Sequence, residues 1–386
     1  MSVPSCCLIS HSLEEGVGPA DANRLLAAEM NRRGWRISLC ALSDSSTQML
    51  HSGELTIGET SLPALRIPQS TGWDDRCEAL RAFLKQQQPM WVIIRFIPYS
   101  LNPKGIVWEA SNSLPKVLQG MKVIWLVDEI WLGGRSAPLK HRLVGALQRF
   151  TILRLLKAGD HRRIYTNNRF NTKALRERGV DAETMRLFGN ISVAAPDGGE
   201  WLFREFAKGA IPINAANRDQ WLILGNFGVF HSDWNPDQFF TQLRDRAREH
   251  GKGICVVGIG SLGSYQEHWK RVAEAWGADF QFLHLGRRTE VEISHFLQSV
   301  DFGLTTNPCH LVGKSGTCMA MLDHGLPILV PKISSEDDPA EFPADMVVRC
   351  GNHIGDEIFA LRKVHTPDPR LPHAVDELIA AMSESR

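Results

Sequence analysis

The stretch "HLVGKSGTCMAMLDHGLPILV", His310 to Val330, contains Gly313-Lys314-Ser315, the ending of a Walker-type phosphate loop. Such a loop needs G-x-x-x-x-G-K-[ST] directly after a strand, because its glycines let successive backbone N–H groups wrap the phosphates. The first glycine would fall at position 308, where the chain has Pro308, which carries no N–H. The motif also follows a late strand-like run of its half of the chain, whereas a Walker loop follows an early one. Both facts argue against a P-loop ATPase. What remains is a helix start, with Ser315 and Thr317 as caps, Gly316 allowing close approach, apolar residues at helical spacing and Gly325 as the stop. Free N–H groups there, the helix dipole and the adjacent Lys314 favour a pyrophosphate. The competing reading is a capped structural helix beside an exposed lysine.

Outward from this stretch, short apolar β-type runs alternate with amphipathic segments along the whole chain, the pattern of parallel sheets covered by helices on both faces. "CCLIS", "WRISLCAL", "MWVIIRF", "KVIWLVDE" and "RRIYTN" are the expected strands of a first domain, with "DANRLLAAEMNRRG" as a helix between the first two. After a stretch rich in Gly, Pro and Asn the order restarts with "WLILGNFG", "GICVVGIG", "FQFLHLG", "DFGLTT" and "LPILVPK". The expected organisation is α/β: a first Rossmann-like domain over 1–195, a linker over 196–218, a second Rossmann-like domain over 219–365 and a terminal helix over 366–386 that packs back across the seam.

The totals agree with this. A chain of 386 residues suits two domains rather than one core. With 43% hydrophobic and 22% charged residues it has the make-up of a folded globular protein. Lys plus Arg and Asp plus Glu number 43 each, so net charge gives no footprint for a polyanion, and nucleic acid is not an expected partner. The eight cysteines include no C-x-x-C pair and read as small buried hydrophobes. No signal-like start and no run of about 18 apolar residues is present, so the expected location is cytoplasmic, with peripheral membrane contact left open.

Several segments together resemble the GT-B glycosyltransferases, particularly the large group of bacterial retaining enzymes numbered family 4. They are "SHSLEEGVGPADANRLLAAEMNRRGWRISL" at the first strand, "FIPYSLNPKG", "WLVDEIWLGG", "MRLFGNI" at 185–191, "LGNFGVFHSDWNP" and the loop-and-helix ending in "HGLPILV". The resemblance implies two Rossmann-like domains facing across a cleft, the acceptor held by the N-terminal domain and a nucleotide diphosphate sugar, such as a UDP-sugar, by the C-terminal one. One departure is that this group commonly carries two glutamates eight positions apart here, and the matching positions are Val312 and Ala320.

In open α/β sheets ligands sit beyond the carboxyl ends of the strands, so the candidates come from the loops there. For the donor they are Gly16 and Gly18 after the first strand; Asn226, Gly228 and His231 after the first strand of the second domain; Arg287 in "LGRR"; and Lys314, Ser315, Gly316 and Thr317. Asp128 and Glu129, immediately after "KVIWLV", are candidates for a base toward an acceptor hydroxyl or for stabilising charge at the anomeric carbon, with Glu129 preferred. His11 joins them. Arg95, Tyr99 and Arg135 are the acceptor candidates, arginine pairing bidentately with any phosphate or carboxylate on it. Each of these residues also has a plain structural reading as a turn, cap or ion-paired surface group.

No D-x-D sequence occurs to hold a divalent metal, so neither a metal nor a cofactor is expected, the nucleotide sugar serving as co-substrate. The expected activity is transfer of a sugar, a hexosyltransferase reaction, to an acceptor hydroxyl on a glycan, a lipid-linked molecule or a small molecule, with retention favoured by the resemblance. The alternatives are a catalytically inactive nucleotide-binding accessory protein and a nucleotide-sugar epimerase of the same fold.

Overall fold

The computed structural model describes residues 3–132, 139–334, 341–351, 353–359 and 366–384. They fall into two compact units, one holding residues up to Arg186 together with those from Leu371, the other running from Leu187 to Arg370.

In the first unit the strands are β1 (Ser5–Ser10), β2 (Arg36–Asp44), β3 (His51–Ile57), β4 (Thr60–Pro68), β5 (Trp91–Phe96), β6 (Lys122–Val127), β7 (His161–Thr166) and β8 (Ala182–Thr184). They form one sheet in the order β3-β4-β2-β1-β5-β6-β7-β8, parallel except for the β3–β4 hairpin. The five expected strands of this half are all present. The hairpin and β8 were not anticipated. β3 is an edge strand exposed along most of its length, and "HSGELTI" therefore shows no apolar run. The buried strands read as continuous apolar runs because helices cover both faces. Trp125 is fully buried and meets Phe96 edge to face at 6.0 Å, a contact worth about 1 kcal/mol beyond simple burial.

The second unit has β9 (Trp221–Phe227), β10 (Gly253–Ile259), β11 (Gln281–His284), β12 (Phe302–Leu304), β13 (Ile328–Leu329) and β14 (Val347–Val348), all parallel, in the order β11-β10-β9-β12-β13-β14. Alternation along the strands feeds two cores. Leu222, Leu224, Ile254 and Val256 pack with Phe240 and Trp269 on one face. Ile223, Cys255 and Val257 pack with Phe296 and Met319 on the other. All eight cysteines are free and buried, as their apolar setting implied.

Two expected boundaries move. Residues 196–218 are not simply a linker: "EWLFREFAK" forms the helix Glu200–Lys208, and its Trp201, Leu202 and Phe206 are buried in the second unit. The turn-forming residues on either side masked its apolar face. The first unit ends at Arg186 rather than 195 because the next residues pack on the helix Gly316–Asp323. There Gly189 N donates to Asp323 Oδ2 at 2.9 Å, and a Cβ at Gly189 would stand 2.6 Å from Ala320 Cα. The closing helix, Arg370–Ser383, groups with the first unit from Leu371 onward, where Arg33 pairs with Asp376 and donates to Pro372 O at 2.9 Å.

Burial raises the pKa of Asp323 to about 6, against the pull of the Gly189 amide. A carboxylate whose pKa is raised in the folded state adds stability below its unfolded value, and that stability is lost as pH rises through the folded value. Asp323→Asn removes this dependence. The stability of the variant relative to wild type should therefore rise by about 2 kcal/mol between pH 4 and pH 7.5, read from urea melts. A difference that does not change with pH would show that the carboxyl is ionised throughout.

Candidate functional site

A strand whose two faces are both buried can present polar groups to solvent only at its ends. In each sheet the strand order reverses at one place, between β1 and β5 and between β9 and β12. Connections leave such a switch point in opposite directions and open a crevice at the carboxyl ends.

At the first switch point β1 delivers His11 and Ser12, β5 delivers Arg95, and β6 delivers Asp128. The sequence had placed Arg95 on a loop, but it is a strand residue only 5% exposed. Its Nε donates to Asn23 Oδ1 at 2.8 Å, and its Nη1 donates to both Asp128 carboxylate oxygens at 3.2 Å. Asn167 Nδ2, just beyond β7, donates to Asp128 Oδ1 at 3.2 Å. A charge this well enclosed is costly unless paired. Arg95 is thus committed to Asp128 rather than presented to an acceptor, and Asp128 is a fixed negative charge.

Beside this pair, Ser12 Oγ donates to Asp44 Oδ1 at 3.2 Å, and Arg66 Nε to Asp44 Oδ2 at 2.8 Å. Burial alone would raise Asp44, but hydrogen bonds from Arg66 and Ser46 outweigh it and hold the carboxyl below its usual value. Burial pushes the His11 imidazole below the usual histidine value, against the pull of Asp128 and Asp44. His11 is therefore neutral near pH 7, with a buried Nδ1 that has no protein partner among the described residues.

Gly16 has φ of +83°, which only glycine adopts freely, and its amide donates to Asp21 Oδ1 at 3.0 Å. A Cβ at Gly16 or Gly18 would meet nothing within 4 Å, so this loop borders open space. Tyr99 is half-buried, and its hydroxyl accepts from Gln148 Nε2 at 3.0 Å. Burial and the nearby Glu129 charge raise its pKa. Glu129 is partly exposed on the loop after β6. Arg135 lies outside the described residues.

At the second switch point three neighbouring strands end on glycines of positive φ: Gly228 (+97°), Gly260 (+101°) and Gly286 (+71°). Gly228 N donates to Ile259 O and Gly260 N to Gly286 O, both at 2.9 Å, so the turns are laced side by side without side chains. A Cβ on Gly228 would stand 3.3 Å from Thr317 Cγ2, which places the glycine turn against the start of the helix Gly316–Asp323.

Ser315 is the N-cap of that helix, its Oγ accepting from Cys318 N at 3.3 Å. Its own amide donates to Val312 O at 3.1 Å, closing the short helix Cys309–Val312, so it is not available to a phosphate. Gly316 and Thr317 carry the first helical amides, which no carbonyl of their own helix can reach. Asn190 Oδ1, buried without a protein partner among the described residues, lies 3.9 Å from where a Gly316 Cβ would be. Lys314 is partly exposed at this start.

The remaining donor candidates divide. Asn226 is not a loop residue: it is 2% exposed within β9, and its Nδ2 donates to Leu304 O at 3.0 Å, tying β9 to β12. His231 stands on the following loop, its amide donating to Thr306 Oγ1 at 3.2 Å and its ring edge-on to Tyr265 at 5.3 Å. Arg287 is exposed after β11, whereas its neighbour Arg288 is held by Glu205 at 3.0 Å. Val312 and Ala320, which occupy the two glutamate positions, are fully buried in the core.

Sequence reading missed Asn23, Asp44, Asn167 and Asn190. Of these only the "NN" directly after "RRIYT" carried a signal, polar residues at the carboxyl end of an expected strand. A cavity of 850 Å³ in the first unit, lined among others by Lys157, Arg162 and Glu183, lies at the amino end of β7. In an open α/β sheet that is the wrong end for chemistry, so the site is assigned to the carboxyl ends.

No protein-family model and no curated protein matches the sequence. Solved structures do match in shape. Anabaena HepE, in complex with UDP and glucose, is 10% identical with a TM-score of 0.58 over 99% of this chain and 100% of its own. The catalytic domain of Arabidopsis thaliana starch synthase IV, bound to ADP and acarbose, is 10% identical with a TM-score of 0.54 over 100% and 93%. UDP-GlcNAc 2-epimerase from Neisseria meningitidis, bound to UDP-GlcNAc, is 9% identical with a TM-score of 0.52 over 99% and 100%. At such identities the likeness establishes the fold: this chain has the two-unit, parallel-sheet α/β architecture of the GT-B glycosyltransferases and of these epimerases.

Proposed function

We propose that this protein is a glycosyltransferase of the GT-B type that moves a sugar from a nucleotide diphosphate donor to an acceptor hydroxyl without a metal. The observation that carries the reading is the second switch point, where the first amides of the helix Gly316–Asp323, directly after Lys314 and Ser315, lie against the Gly228 turn. As the glycosidic carbon–oxygen bond to the diphosphate breaks, its electron pair goes to the leaving phosphate. Lys314 and the positive helix end stabilise that growing charge. Arg287 and His231 are assigned to the nucleotide and its phosphates. Ser315 keeps a supporting role as the cap that fixes the helix start.

The first unit takes the acceptor. Its hydroxyl oxygen forms the new bond to the anomeric carbon, and its proton passes to Glu129. Asp128, held by Arg95, supplies a fixed negative charge for the cationic character developing at the sugar, beside the neutral His11 ring. Tyr99 lines the same loops. The family resemblance favours retention of the anomeric configuration, whereas Glu129 acting as base on the attacking hydroxyl would give inversion. NMR of the product anomer separates the two outcomes.

HepE was crystallised with UDP and the Neisseria epimerase with UDP-GlcNAc, so uridine nucleotides are the first donors to test. The epimerase likeness also supports a second reading, epimerisation of the donor itself. Product analysis with no acceptor present detects it, because a transferase leaves the donor sugar unchanged. Tight calorimetric binding of a nucleotide diphosphate with no product from any donor would instead favour the accessory reading, which the core residues at Val312 and Ala320 motivate.

Lys314→Ala should weaken binding of the nucleotide diphosphate by about tenfold or more, as expected for one charge-assisted contact, while leaving the free nucleoside nearly unaffected. Equal losses for both ligands would remove Lys314 from the phosphate site. Glu129→Gln should lower turnover by about 100-fold with donor affinity within about twofold of wild type. Unchanged turnover would exclude Glu129 from the chemistry.

A further inference from the structure

We infer that the helix Leu139–Leu155 lies flat on an anionic lipid surface. The helix has a buried face and a solvent-facing apolar one. Gln148, Thr151, Ile152 and Leu155 are buried within the first unit, while Leu139 (71% exposed), Leu143 (61%), Leu147 (51%) and Phe150 (53%) face solvent. At about 100° per residue these four make one stripe on the side opposite the buried one. Trp108 stacks on Phe150 at 6.0 Å and is itself 51% exposed. Of the fourteen large hydrophobic side chains exposed among the described residues, these five lie together on this helix and on the tryptophan stacked against it. So concentrated an apolar patch marks an interaction surface.

The flanking charges identify the partner. "LKHRLVGALQRFTILRL" contains no acid, and Arg142 and Arg149 border the stripe on one side with Lys140 on the other. Arg154 falls beside it, and Glu109 next to Trp108 is the acid at the rim. Apolar side chains directed outward with cations on both flanks, and an exposed tryptophan at one edge, are the arrangement of a helix at the headgroup level of an anionic bilayer. A second copy is the poorer occupant, because two-fold pairing of this face would set the cations of one helix against those of the other. Among the described residues no helix is long and apolar enough to cross a membrane, so the contact is one of lying on the surface.

The test is co-sedimentation of the full chain with vesicles of phosphatidylcholine alone or with about 30 mol % phosphatidylglycerol. Wild type should pellet with the anionic vesicles and stay in solution with the neutral ones. Leu143→Ser, Leu147→Ser and Phe150→Ser together should weaken binding to anionic vesicles at least about tenfold. Lys140→Gln, Arg142→Gln and Arg149→Gln together should abolish the preference for anionic lipid. Thermal melts of both variants should match wild type, since the three apolar side chains are more than half exposed. Failure of wild type to bind anionic vesicles, or equal binding by the apolar triple variant, would overturn the inference. So would concentration-dependent self-association that the apolar triple variant dissolves without any vesicle binding. None of these readouts depends on sugar transfer, so the inference stands or falls separately from the proposed activity.

Discussion

Burial of each sheet on both faces is the constraint on which the rest of the structure depends. A parallel strand covered by helices above and below must be apolar along its whole length, and its backbone polar groups are consumed by its neighbours. Chemistry is thereby displaced to the carboxyl ends. The candidate groups of the first unit follow the rule, with His11 after β1, Arg95 near the end of β5 and Asp128 just beyond β6. In the second unit the glycine turns after β9, β10 and β11 clear side chains from the same edge.

The two switch points differ in electrostatic character. The first is a polar lattice in which a nearly buried arginine and a carboxylate neutralise each other beside an uncharged imidazole, suited to holding neutral hydroxyls and one developing positive charge. The second sets the positive end of the helix Gly316–Asp323, its first amides and the adjacent Lys314 against the Gly228 turn. The proposed placement of the diphosphate at the second switch point and of the acceptor at the first rests on this contrast.

Much of the fold was legible because it rests on apolar runs. "KVIWLV" and "GICVVGI" cannot be anything but doubly buried strands in this context, and the restart after residue 218 marked a second sheet. The β3–β4 hairpin escaped because an exposed edge strand needs no apolar pattern, and the helix Glu200–Lys208 escaped because Gly, Pro and Asn on both sides suggested a loop. The candidate site was legible to the extent that residues follow strands directly, as Asp128, Gly228 and the "KSGT" start do. It was illegible where partners come from elsewhere in the chain. Nothing local to Arg95 announces Asn23 and Asp128, and nothing in Ser315 shows that its amide is spent on Val312 while its hydroxyl caps Cys318. Asn226, for the same reason, read as a ligand-facing loop residue when it is a tie between strands.

In the proposed function a nucleotide diphosphate is held by the helix start at the second switch point. A crystal structure of the protein with UDP tests it most directly. The β-phosphate oxygens should lie within about 3 Å of the Gly316 and Thr317 amides and of Lys314 Nζ, with the ribose and base toward His231 and Arg287. A diphosphate bound instead in the basic cavity at the amino end of β7, or at the His11–Asp128 lattice, would contradict it.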